Sequence, residues 1–583
     1  MFRKTSLASA VALSTAALLA CGGGGGSETV SGSVSGSASG SASGSASGTA
    51  LGTASGSASG SASGSVAPVI GDTIALTATG RLISFNRAAP QTQLSTVAVS
   101  GVAAGETLLG IDARPADGLL YGLGSLGTIY RLDAATGTAT AGPVLRAAAG
   151  DDNPYAGLSG TRFGFDFNPV ADRLRVVSDT GQSLRINVAT GDTITDGAIN
   201  PAGPVVTASG YTNSFAGTST TQLFALDATA GQLYLQNPPN DGTLGAPVSL
   251  GVTADAANGF DVDPRNNTGY AALRVGGETA LYTINLAATS NAATRVGAIA
   301  GGEALVGIAL AAPAAPTALA LTADNRLVAF NPRTPNTLAS SVAVSGLAAG
   351  EALVGIDVRP RDGLLWGLSN QARLFTIDTA SGAATLRAAL AADPADMTST
   401  YAGLVGTVTS VDFNPAADRL RVVTSTGQNL RIVVETATTG ATTVTAGNTT
   451  TDGTINRASG AAAVAASAYT NSFAGTATTA LHNLESNTDQ LTLQAPPNDG
   501  TLANVGALGV DIAGNAGFDI AGGGNGLALA ALRPGGTGPF LLYSVSLTTG
   551  AATLYNNPAG TVAASQIGGA AGPTNLIDLA LRF

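Results

Sequence analysis

Residues 165–177 read F-D-F-N-P-V-A-D-R-L-R-V-V, and residues 411–423 read V-D-F-N-P-A-A-D-R-L-R-V-V. In each, an apolar run ends in Asp-x-Asn-Pro, a stretch that reverses the chain. Arg-Leu-Arg-Val-Val follows with the alternation of a strand. The unit is strand, tight turn, strand. Its return 246 residues later makes the chain one β unit built twice.

Further blocks recur on either side of that pair. Gly110-Ile111-Asp112 comes back as Gly355-Ile356-Asp357, and Y-A-G-L at 155–158 comes back at 401–404. Y-T-N-S-F-A-G-T at 211–218 is unchanged at 469–476, as is P-P-N-D-G-T-L of 238–244 at 496–502. The offset grows to 258 on the way, so the second copy carries an insertion of about a dozen residues, Thr-rich, at 435–449. Its composition predicts a loop.

A shorter period runs inside each copy. Asp112, Asp166 and Asp261 each sit in an apolar-Asp-x-x-Pro frame, and strand starts recur every 48 to 54 residues. Each interval holds three more strand signals joined by Asp/Gly/Pro turns such as D-A-A-T-G at 133–137. Four short strands per repeat predict an all-β chain of two tandem β-propellers with about five blades each. Six smaller blades per copy, or β-sandwiches, are the alternatives. The first blade of copy one lacks a leading strand, and residues 305–311 are expected to supply it. Residues 576–583 would do the same for the blade that begins at 317–321, hiding edges that would otherwise pair with other chains. A helical signal arises only at 388–396.

The ends of the chain set its compartment. Arg3-Lys4, an apolar stretch over 7–19 and Leu18-Leu19-Ala20-Cys21 form a secretory leader too short to span a membrane. It resembles the bacterial lipoprotein signal, which implies cleavage before Cys21 and lipid on that cysteine, with palmitate among the acyl groups expected. Gly22 rather than Asp after the cysteine implies the outer membrane, facing the periplasm or the cell surface. Cys21 is the one cysteine, so disulfides within the chain are excluded. The expected order is a signal peptide at 1–20, a Gly/Ser-rich flexible tether at 21–66, a first repeat at 67–312 and a second at 316–583. About 40 tether residues span about 35 Å.

The 583 residues include 44% hydrophobic and 11% charged ones, enough apolar material for more than one core. Net charge is −11. With no basic tract, such a surface repels phosphate backbones, so nucleic acid is excluded as a partner.

The frames G-I-D-x-R-P, F-D-F-N-P-x-A-D-R-L-R-V-V and Y-T-N-S-F together resemble the bacterial domain of unknown function 4394, over nearly all of 72–310 and 317–583. The resemblance implies a secreted or lipoprotein chain and no particular activity.

The recurring acids are the first candidate site. Asp112, Asp166 and Asp261, with Asp357, Asp412 and Asp519, end the expected innermost strands and could converge in an axial channel. Converging carboxylate oxygens suit Ca²⁺, the one cofactor considered. The competing expectation is that each accepts hydrogen bonds from backbone N–H groups of its own or the adjacent turn. Arg173, Arg175, Arg419 and Arg421, beside Arg185 and Arg431, could grip an anion in bidentate fashion; the plainer expectation pairs them with Asp172 or neighbouring carboxylates. His482 corresponds to Phe224 in the first copy, and Trp366 to Tyr121, so both read as packing. No metal-protease, P-loop or dinucleotide motif occurs, and the first copy has no histidine. The sequence thus points to a non-catalytic binding or scaffolding module for a protein, glycan or small molecule, attached to a membrane through Cys21. A Ca-dependent enzyme using the channel aspartates, lactonase-like or lyase-like, is the alternative.

Overall fold

The computed structural model describes residues 69–583 apart from 219, 312–315, 440–441, 524–525, 556–561 and 574. The expected leader, Cys21 and the tether lie outside the described residues, as does most of the connection between the copies.

The chain is all-β, with many four-stranded antiparallel sheets and almost no helix. Five sheets form in each copy by hairpin succession. Leu108–Ala113, Leu120–Gly124, Thr128–Leu132 and Ala139–Val144 pair in chain order. The other sheets follow this scheme, three of them with a fifth, parallel strand at the outer edge and one in each copy with a strand drawn from the end of that copy. The hairpin read first from the sequence runs Phe163–Asn168 into Arg173–Ser178, with Asp166 opposite Arg175. Asn168 Oδ1 accepts the N–H groups of Val170 and Ala171 at 3.0 and 2.9 Å, and Asp172 takes φ 51° to complete the reversal.

The strand at 305–311 goes where the sequence predicted. Leu305–Leu310 pairs antiparallel with Thr73–Thr77, Ala75 facing Ile308. Leu576–Arg582 pairs in the same way with Thr317–Thr322. In each copy the leading strands of the five sheets pack side by side in cyclic order. Leu305–Leu310 lies between Ala256–Val262 and Leu108–Ala113, and Leu576–Arg582 between Gly517–Ala521 and Leu353–Val358. Each circuit of five strands returns to its start.

Glycine makes the close approach of these strands feasible. A Cβ on Gly259, which has φ +122°, would stand 2.3 Å from the Ile308 nitrogen of the neighbouring strand. One on its counterpart Gly517 would stand 2.6 Å from Leu579 N. Outside the circuits, apolar side chains fill the spaces between neighbouring sheets; Leu319, Leu321, Ile356 and Phe375 form one such core.

Two local expectations are corrected. Residues 388–396 are not helical: Ala384–Ala389 is an edge strand paired with Arg373–Ile377, and Ala391–Ala392 pairs parallel with Asn448–Thr451. Pairing with the neighbouring strands overrides the helix propensity of alanine. The insertion at 435–449 is not a plain loop, since Ala437–Thr439 and Thr442–Val444 form a small hairpin.

The two copies touch directly. Phe215 of the first meets Phe583 of the second edge-on, with ring centroids 5.1 Å apart, and joins a core of second-copy residues. Tyr555 Oη donates to Gly217 O at 2.7 Å, and Gly523 N to Pro264 O at 3.1 Å.

Candidate functional site: buried carboxylates at the centre of each strand circuit

The six predicted aspartates come together in two groups of three. In each group one ligand oxygen from every residue lies within 4.8 Å of the others, for Asp112, Asp166 and Asp261 and again for Asp357, Asp412 and Asp519. All six are buried.

Each carboxylate bridges two leading strands. Asp112 accepts from Ala113 N (2.7 Å), the next residue of its own strand, and from Phe167 N (2.8 Å) on the adjacent one. Asp261 does the same with Val262 N (2.6 Å) and Leu310 N (2.7 Å). Asp166 accepts from Tyr211 N (3.1 Å) through Oδ1, while its Oδ2 is buried without a partner. In the second copy Asp357 binds Val358 N and Phe413 N, Asp412 binds Tyr469 N, and Asp519 binds Ile520 N and Leu581 N. The carboxylates therefore act as staples across the seams between sheets, reaching the neighbouring strand rather than a neighbouring turn.

A fourth acid, Asp578, completes the second group and was not singled out in the sequence. It accepts from Leu579 N and Ile356 N, both at 2.9 Å, and so staples a seam that is unstapled in the first copy. Register places Gly307 at its position there.

Gathering acids out of water raises their proton affinity. Burial, then repulsion by Asp261, pushes Asp112 well above the usual carboxylate range. Asp166 rises through burial and then through Asp112 and Asp261. Burial brings Asp261 and Asp519 up to about 6. Asp357 and Asp412 rise by burial and then by their acidic neighbours, while burial is the first cause for Asp578. Enclosed acids of this kind can share protons or hold a hard cation between them.

The arginines have separate places. Arg175 is enclosed and donates to Tyr211 Oη, Ser183 Oγ, Asp196 Oδ2 (2.6 Å) and Asn240 Oδ1 (2.7 Å). Arg421 repeats this with Tyr469, Asn429, Asp452 and Asn498. Arg185 and Arg431 grip the same aspartates, Asp196 and Asp452, with two bonds each. Four of the five N–H groups of Arg175 are thus committed within the protein. Asp172 is the partner not of these arginines but of Arg114. Arg173 and Arg419 turn back onto the carbonyls of Asp172 and Asp418. His482 is buried opposite Ala468 and Leu493, and burial lowers its basicity. Trp366 packs edge-on against Phe413, as Tyr121 does against Phe167.

A cavity of about 420 Å³ lies just beyond the second group of acids. Its walls include Val358, which follows Asp357, and Ala521, two residues past Asp519. Arg265 and Tyr270 of the first copy face Phe473 and Arg582 of the second across it. At the opposite end of the same circuit a cavity of about 370 Å³ is lined by neutral residues, among them Val354, Thr409, Asn515 and Ile577.

None of the curated proteins matches the sequence. Among solved structures, that of U3-55K aligns at 12% identity over 55% of this chain and 90% of the other, with a TM-score of 0.24. A structural-genomics target from Lactobacillus plantarum aligns at 13% identity over 63% and 98%, also with a TM-score of 0.24. Likenesses at that level bear on neither fold nor function. The family match is of another order: residues 81–309 and 326–567 each match the family described as Domain of unknown function (DUF4394). The chain belongs to that family and carries two tandem copies of its domain.

Proposed function

We propose that each copy is a five-bladed β-propeller and that the pair serves as a non-catalytic binding module of the bacterial cell envelope, tethered through lipid on Cys21 and sorted to the outer membrane. The cyclic packing of five leading strands, each at the head of its own meander, supports the propeller reading. The leader and the Gly/Ser tract support the anchorage.

The observation that carries the binding role is the cavity of about 420 Å³ walled by both copies. Aromatic rings and the Arg582 guanidinium share its lining with an Arg265–Asp263 ion pair, a combination that suits a small ligand with a flat apolar part and an anionic group met by Arg582. The buried acids favour a non-catalytic reading. They are buried, with most of their oxygens taken by backbone donors, whereas a general acid or base must come within hydrogen-bond reach of its reactant.

The test is a thermal-shift screen of residues 67–583 against small carboxylated and phosphorylated aromatic compounds, repeated with Phe473→Ala and Arg582→Ala. Saturable binding weakened at least tenfold by either substitution supports the proposal. Turnover of any screened compound, abolished by a point change, would overturn it.

A further inference from the structure

We propose that Asp112, Asp166 and Asp261 hold one Ca²⁺ ion at the centre of the first repeat, as a structural site. The site is buried within the first repeat, whereas the cavity lies between the two copies and is lined by none of the three aspartates.

The spacing fits. Ca²⁺ binds oxygen at 2.3–2.6 Å, so two ligands of one ion stand at most about 5 Å apart. One oxygen from each of the three aspartates lies within 4.8 Å of the other two. A single ion between them meets all three.

A second observation is independent of the spacing. Five of the six carboxylate oxygens receive backbone N–H groups, from Ala113, Phe167, Tyr211, Val262 and Leu310. The sixth, Asp166 Oδ2, is enclosed without a donor, on a residue only 1% exposed. A bare carboxylate oxygen in a dry interior is costly unless something positive meets it. Donors fix the other oxygens in place, so the ligands are set before the ion arrives.

Among the described residues no protein cation fills that role. Arg87 is the basic side chain nearest in effect, and it is committed to Asp263 at 2.7 Å and to Asp72. Beside the triad all five leading strands enclose a small void of about 10 Å³, whose lining includes Ile111, Phe165 and Phe260, the residues just before the three aspartates. That is about the room one water molecule occupies.

The experiment uses the full chain, stripped with EDTA and then titrated with CaCl₂ by calorimetry after equilibration overnight, with metal analysis of the dialysed protein. The wild type is expected to take up calcium and to gain about 5 °C or more in unfolding midpoint. Asp166→Asn, which keeps the oxygen that accepts from Tyr211, is expected to lose one equivalent and most of that gain while retaining its far-UV circular dichroism. Asp112→Asn is the second variant and should lose the same equivalent. No calcium uptake by the wild type, or uptake unchanged in both variants, would overturn the proposal. The ligand screen is run in calcium-free buffer and read through Phe473 and Arg582 of the second copy, neither of them part of the triad, so failure of one result leaves the other standing.

Discussion

Asp196 sits between two arginines, one of them wholly enclosed, and that asymmetry sets what its loss would do. Asp196→Ala removes the carboxylate from Arg175 and leaves a buried guanidinium without its counter-charge, which costs about 3–5 kcal/mol. The same change at Asp452 should cost as much, because Arg421 repeats the geometry. Denaturant midpoints of both variants check this.

The acids of the second circuit predict a pH dependence of opposite sign to the usual one. Asp519 titrates at about 6 in the folded chain, against about 3.9 unfolded. The native state therefore holds the extra proton between those values, and stability is lost as pH rises from about 4 to about 6. Glu351, brought down to about 2 by its hydrogen bond with Arg373, works the other way, but its contribution is lost only as pH falls from about 4.5 through 2. Metal-free protein should thus unfold at a lower temperature at pH 7 than at pH 5, and Asp519→Asn should reduce the difference. Calorimetric scans in EDTA measure it.

The six paired aspartates were legible because their frame repeats. Asp578 was not, since its register partner in the first copy is Gly307 and comparison of the copies passes over it. The partner of Arg175 was equally hidden, because Asp196 lies 21 residues away, just past the strand Asp192–Thr195, and only the folded sheet brings the two together.

At the level of strands, the narrowest tolerance is where the leading strands meet. Gly259→Ala places a methyl group 2.3 Å from a backbone nitrogen and forces a side chain into φ +122°. The expected loss is about 3 kcal/mol or more. Gly80→Ala also has positive φ but nothing within 4 Å of its added methyl, so it should cost only about 1 kcal/mol. Comparing the two midpoints separates crowding from backbone strain. The strand pairing Leu305–Leu310 with Thr73–Thr77 could be read from the sequence because the first sheet plainly lacked its leading strand. The 388–396 segment could not, because alanine favours a helix locally and only the neighbouring sheet decides otherwise.

For the whole molecule, the informative comparison is between two identical stretches. Y-T-N-S-F occurs at 211–215 and 469–473, yet Phe215 enters the core of the other copy while Phe473 lines the cavity. No repeat-based reading could assign them different roles, since the difference arises only when the copies pack. Phe215→Ala removes the ring that joins the two bodies and should cost about 3–5 kcal/mol. In calorimetry it should split a single unfolding transition into two, whereas Phe473→Ala should leave it single.

Each five-sheet arrangement depends on its circuit being closed by its last strand, and closure of the second can be tested in solution. Thr317 and Arg582 are cross-strand partners 265 positions apart in the chain. In a Cys21→Ser background, Thr317→Cys with Arg582→Cys and a short bismaleimide should give a cross-link within single chains, seen by mass spectrometry as joined peptides, at near-complete yield and without loss of fold. Free thiols, or cross-links only between chains, would contradict closure and the five-sheet arrangement built on it.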